Sequence, residues 1–295
     1  MTKMPEEKAR PSAKIQRFLA EIVRHRFTFA ESQGDLELLR AIHDGSYAGT
    51  KPGDPSFHAY AAALNTANEF ATQALDFLEL IPFNNRLVDV QEEYQPSYPP
   101  MSPVTSAFFV SWMVLDARDS FTQWTLGELF VHYLQQANKF EEARKAIDVL
   151  NGTFCSFYEV MEVDDRGTRL RDIATQREHE SWSSSGYAGR KGEIWYVRVA
   201  PPFVEGTGRS VTMGTPYVFL ESSREVWESF FQRYLASGKG GNRSLQDYLK
   251  HGKKLGYWLE FIFQAITGYT GNMILLTGVP DNPASLPHAD PKRKL

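Results

Sequence analysis

FYEVMEVDDRGTRLRDI (157–173) and EIWYVRV (193–199) decide how this chain is read. Both leave the helical period for a two-residue one, loosely in the first stretch and cleanly in the second, as a strand requires. Asp165-Arg166-Gly167 separates two such runs, and a glycine there supplies the backbone freedom of a hairpin turn. In the second stretch Trp195, Val197 and Val199 fall on one face and Tyr196 and Arg198 on the other. RSVTMGTPYVFL (209–220) adds one or two short strands. Several short strands in one stretch predict a small antiparallel β-barrel or curled sheet over residues 151–221.

Upstream, the period is helical. Ser12 is placed to cap an amphipathic helix over 12–30 carrying Ile15, Phe18, Leu19, Ile22 and Val23. A short helix holds Leu36, Leu39 and Ile42, and an alanine-rich helix runs from Phe57 to Leu80, ended by Pro82. YQPSYPPMSPV (94–104) has four prolines, which exclude regular structure. TSAFFVSWMVLD (105–116) is apolar on every side, as a helix buried on all faces would be. Thr125 and Glu128 have the spacing of a capping box that opens a helix to about Gln136. Asn138 with Glu141 opens another, closed by Asn151-Gly152 with the glycine as a left-handed cap.

Downstream, Ser222 and Glu225 return the chain to helix, with Val226, Trp227, Phe230, Phe231 and Tyr234 as its stripe. SGKGGN (237–242) reads as a loop, and Ser244 opens a long helix to about Thr267. The expected fold is α+β and mainly helical. A helical domain occupies 1–150, the β-domain 151–221 and a C-terminal helical hairpin 222–270, with a partly disordered tail at 271–295.

Composition narrows the function classes. The 295 residues are 42% hydrophobic and 23% charged, the balance of a folded chain. One cysteine, Cys155, excludes internal disulfides and cysteine-built metal sites. No secretory leader or membrane-length apolar run is evident, so a cytoplasmic location is expected. Residues 27–150 hold 7 basic against 17 acidic side chains, whereas 1–26 and 223–295 are each net positive by four. An acidic body argues against a dedicated nucleic-acid binder.

The seven histidines form no helical pair, and Glu178-His179-Glu180 alternates across a strand, so no metal or cofactor is expected. Cys155 lies in apolar TFCSFY without a neighbouring base, and no Gly-x-Ser-x-Gly elbow occurs. The loop at 237–244 lacks Walker spacing. The best candidate surface is on the β-domain. Arg169, Arg171, Tyr196 and Arg198 are expected to share a face, with Trp182, Tyr187, Arg190 and Lys191 in the segment between the strands. Aromatics interleaved with arginine can stack bases or grip a peptide. The same residues also fit a sheet face covered by flanking helices.

Residues 157–199 resemble a small β-module of uncharacterised bacterial proteins that often accompanies a SEC-C zinc motif. The resemblance rests on FYEVMEVD, Gly167, LRDI at 170–173 with Thr175 to Glu178 after it, and Gly192 to Val199. It implies a bacterial origin and no known activity. The SEC-C motif itself is absent, because it needs several cysteines.

The expected function is that of a non-enzymatic accessory or adaptor protein binding another cytosolic protein. One alternative is a nucleic-acid-associated module using the β-domain face with Lys250, Lys253 and Lys254. Another is an enzyme whose site is assembled from distant residues such as Asp172, His179 and Glu193.

Overall fold

The computed structural model describes residues 12–49, 53–94, 103–165, 167–203, 209–220, 223–236, 245–251, 266–270 and 273–276. Among them are nine α-helices and eight strands. The predicted class stands: the fold is α+β, mainly helical, with a β-barrel between helical regions.

The helical part begins with α1 (Ala13–Arg24), whose cap is Ser12; its hydroxyl accepts from the Ile15 amide at 3.4 Å. It continues through α2 (Gln33–His43) and α3 (Pro55–Ala74). Six of the seven alanines of α3, all but Ala61, lie fully buried and let its neighbours pack close. A 3-10 turn (Leu78–Leu80) leads directly into α4 (Ile81–Tyr94). Pro82 therefore opens a helix rather than ending one: its missing N–H costs nothing in a first turn, where no intrahelical acceptor exists.

Next come α5 (Pro103–Leu115), α6 (Leu126–Ala137) and α7 (Glu141–Asn151). The Thr125–Glu128 capping box is formed in both directions, at 3.1 and 2.9 Å. Asn138 instead takes a left-handed conformation that closes α6, and Gly152 (φ −78°) is right-handed, not the left-handed cap expected of it.

The barrel strands are β1 (Cys155–Asp164), β2 (Gly167–Asp172), β3 (Glu178–Ser183), β4 (Ile194–Ala200) and β5 (Ser210–Thr212). They close in the order β1-β2-β3-β5-β4-β1. Every pair is antiparallel except β3–β5. Beyond the ring, β6 (Tyr217–Phe219) joins β4, and β8 (Met273–Leu276) and β7 (Ile266–Thr270) extend the sheet.

Ile266 and Thr267, expected at a helix end, thus lie in a strand. Pairing of β8 with β6, more than 50 residues earlier, supplies hydrogen bonds that local periodicity cannot signal. The helices α8 (Arg224–Ala236) and α9 (Leu245–His251) pack on the barrel, where Trp227, Phe231, Tyr248 and Leu249 join its core. That core is distinct from the one built by α1 to α7. Part of the expected tail at 271–295 is ordered instead, since Met273–Leu276 form β8 by pairing with β6 and β7. The stretch from Pro280, the loop at 237–242, and Lys253 and Lys254 lie outside the described residues.

Candidate functional site

The residues expected on one β-domain face are distributed over several surroundings. Arg169 and Arg171 do project from β2, but each meets a carboxylate across the sheet. Arg169 pairs with Glu162 of β1 at 2.6 Å and Arg171 with Glu178 of β3 at 2.9 Å. Trp182 turns towards the helical core and packs near Phe57, with ring centres 5.8 Å apart. The Tyr187 hydroxyl donates to Glu193 at 2.8 Å, and the Trp195 indole N–H donates to the same carboxylate at 3.1 Å. Arg190 and Lys191 are exposed on the β3–β4 loop.

Tyr196 and Arg198 are inside, which corrects the expectation that they line an open face. Their alternation with Trp195, Val197 and Val199 is as read, but both faces of β4 are covered. Tyr196 lies opposite Phe157, whose ring stacks on Trp227 of α8 at 3.7 Å, and Phe108 of α5 packs beside it. Arg198 is 1% exposed.

Arg198 is the centre of a buried polar cluster. Asp116, just beyond α5, takes the Arg198 guanidinium on Oδ2 and the Lys250 ammonium on Oδ1 at 3.0 Å. The Thr153 carbonyl accepts from both cations, each at 2.8 Å. His251 Nδ1 donates to the Asp116 carbonyl at 2.8 Å. Two cations face one carboxylate, and burial together with Arg198 pulls the Lys250 pKa down. Cys155, opposite Arg198 in the sheet, is fully enclosed, and burial pushes its thiol up to about 11. Such a thiol is a poor nucleophile at neutral pH. The cluster joins the ends of α5 and α7 to β4 and α9, so its geometry is that of a structural clamp.

Of the residues expected in an enzyme site, Asp172 and Glu193 are likewise occupied by neighbouring hydrogen-bond donors. Asp172 is buried and accepts from the Ser156 hydroxyl at 2.9 Å and from the Ala174 and Thr175 amides, which shapes the β2–β3 turn. Glu193 holds Tyr187 and Trp195, and burial lowers the His179 pKa. Among the described residues no group of three His, Cys, Asp or Glu side chains could hold a metal ion, and no helix is long and apolar enough to cross a membrane.

The feature that sequence reading missed is the outer face of α4. Leu78 is 79% exposed, Ile81 40% and Val88 44%. Positions three apart eclipse in a 3-10 turn, and positions seven apart nearly coincide in an α-helix. Leu78, Ile81 and Val88 therefore form one stripe, about 16 Å long at the rises of the two helix types. Leu80, Phe83, Leu87 and Val90 lie on the opposite, buried side. Asn84 and Asn85 share the outer side between Ile81 and Val88, so it is a mixed surface that keeps three large aliphatic side chains in water, as a contact surface does. The sequence does carry its signal, Leu78, Ile81 and Val88 at spacings of three and seven.

Comparison with known proteins identifies no relative: no protein-family model, no curated protein and no solved structure matches this chain.

Proposed function

We propose that this chain is a cytosolic, non-enzymatic accessory protein that binds another protein through the Leu78/Ile81/Val88 face. The observation that carries the reading is the exposure of Leu78, Ile81 and Val88 along one side of α4 and the turn before it. Holding three large aliphatic side chains in water costs the protein solubility, and a partner that covers them recovers about 25 cal/mol for each Å² buried.

The test is affinity purification of the full chain from its native host at low expression, beside the double variant Leu78→Asp/Ile81→Asp. A partner present in stoichiometric amount with the parent chain and lost from the variant is expected. As a control, Val163→Asp, which alters an exposed apolar residue on β1, should keep that partner. A partner retained by the double variant, or none at all, would overturn the reading.

A second reading has one observation in its favour. The ring order with its single parallel β3–β5 pair is the connectivity of the OB-type barrel, whose strand 2–3 face holds oligonucleotides in many proteins. On this barrel, however, the arginines of that face are neutralised by Glu162 and Glu178, and Glu180 adds a further exposed carboxylate. Phosphate binding needs uncompensated cations. Fluorescence anisotropy of a labelled oligothymidylate or oligouridylate at ~50 mM salt decides it, and saturable binding there would restore this reading.

A further inference from the structure

We infer that the partner segment seated on the Leu78/Ile81/Val88 face is an amphipathic helix with a cationic rim, a conclusion that rests on the protein-binding reading above. The stripe spans about three helical turns, the length over which a docked helix places anchors at i, i+3 or i+4, and i+7. At its Leu78 end it opens into a groove of about 430 Å³ lined by Phe77 and Leu78 together with Glu21, Asp76, Glu79 and His25. Phe77 and Leu78 are its apolar lining, and three carboxylates share it.

Among the described residues no ion-pair partner serves Glu21, Asp76, Glu79 or Asp89 of α4. Two of the nearby cations are turned elsewhere: Arg24 donates to the Ala20 carbonyl at 3.0 Å, and the Arg86 guanidinium lies over the Phe83 ring. One acidic group of the helical part contrasts with this. Glu69, in the neighbouring groove between α2 and α3, accepts from the Glu31 and Ser32 amides and the Ser32 hydroxyl and is consumed by the fold. The surplus of acidic over basic side chains in residues 27–150 favours a cationic partner, against the net positive charge of residues 1–26, which supply Glu21 and His25 to the groove.

The experiment uses the full chain and three fluorescein-labelled synthetic peptides. The first, LKKLLKLLKKLLKL, is amphipathic and cationic. The second replaces each Lys by Glu. The third keeps the first peptide's composition in an order without helical periodicity. Anisotropy titrations are run at ~50 mM and ~300 mM salt on the parent chain, on Leu78→Asp/Ile81→Asp and on Asp76→Lys/Glu79→Lys, with melting curves to establish that each variant is folded.

The expected result is saturable binding of the first peptide, weakened at least about tenfold by either double variant and by high salt, with the other two peptides bound more weakly by a similar factor. Equal binding of the Lys and Glu peptides, both lost in Leu78→Asp/Ile81→Asp, would overturn the cationic assignment and leave the protein-binding reading standing. Binding of the first peptide that neither variant weakens would show attraction to the chain's net charge and overturn the site. Failure of the first peptide to bind overturns the inference, and the native purification then judges the broader reading separately. A parent chain that sediments as a dimer, with Leu78→Asp/Ile81→Asp monomeric, would give the face to a second copy of this chain and overturn the proposed partner.

Discussion

Asp116 and Arg198, 82 residues apart in the chain, meet in a buried ion pair that ties the end of α5 to β4 of the barrel. Lys250 reaches the same carboxylate from α9, so one acidic side chain neutralises cations from two other elements. Removing it leaves both without their counter-charge, and Arg198 cannot escape by losing its proton. Asp116→Asn is therefore expected to destabilise the fold by about 3–5 kcal/mol, read from the urea midpoint. A loss near zero would mean that water reaches the cluster.

Gly189 sits on the β3–β4 loop at φ +81°, and a methyl group there would lie 2.3 Å from Cζ2 of Trp195. Gly189→Ala meets both an unfavourable backbone and a buried ring. It should cost about 1–3 kcal/mol and shift the tryptophan emission, because the Trp195 indole is held by Glu193. Unchanged melting and emission would show that the loop is free to move away.

Burial lowers the pKa values of His132, His179 and His251 below the ordinary 6.5. Between each folded value and 6.5 the unfolded chain binds more protons than the folded one. Stability is therefore complete above 6.5 and is lost as pH falls through that value towards the folded pKa values. The melting temperature should be level just above 6.5 and decline on acidification below it. His251→Asn, whose amide can replace the Nδ1–H bond to Asp116, should flatten part of that decline. An unaltered slope in this variant would remove His251 from the account.

The capping box of α6 gives a smaller, local effect. Thr125→Ala removes the acceptor for the Glu128 amide and should cost about 1 kcal/mol, with an unchanged denaturant slope. A cost below the error of the measurement would mean that the first turn is held by packing alone.

Much of the fold was legible because its signals are local. Ser12 and the Thr125–Glu128 pair announce helix starts by hydrogen bonds that span three residues, and both are formed. The hairpin at Gly167 and the alternation of 193–199 follow from a two-residue period, and both are strands, the second shifted by one residue to Ile194–Ala200. Pro82 misled because a proline marks a first turn as readily as a last one. The pairing of β6 with β8 was out of reach, since parallel neighbours are chosen by the assembled sheet.

For the candidate site the division is sharper. The sequence by itself determined which residues can be charged, which faces of each element are apolar, and that Arg198 and Tyr196 oppose Trp195, Val197 and Val199. Only the tertiary structure decided which of those faces meet water. Both faces of β4 are taken, one by the barrel and one by α5, α8 and α9, so an arginine expected outside is paired with Asp116. One face of α4 is left uncovered, so Leu78, Ile81 and Val88 stay exposed. The physical reason is that periodicity fixes the direction of a side chain relative to its own element, whereas exposure depends on what distant segments pack against that direction.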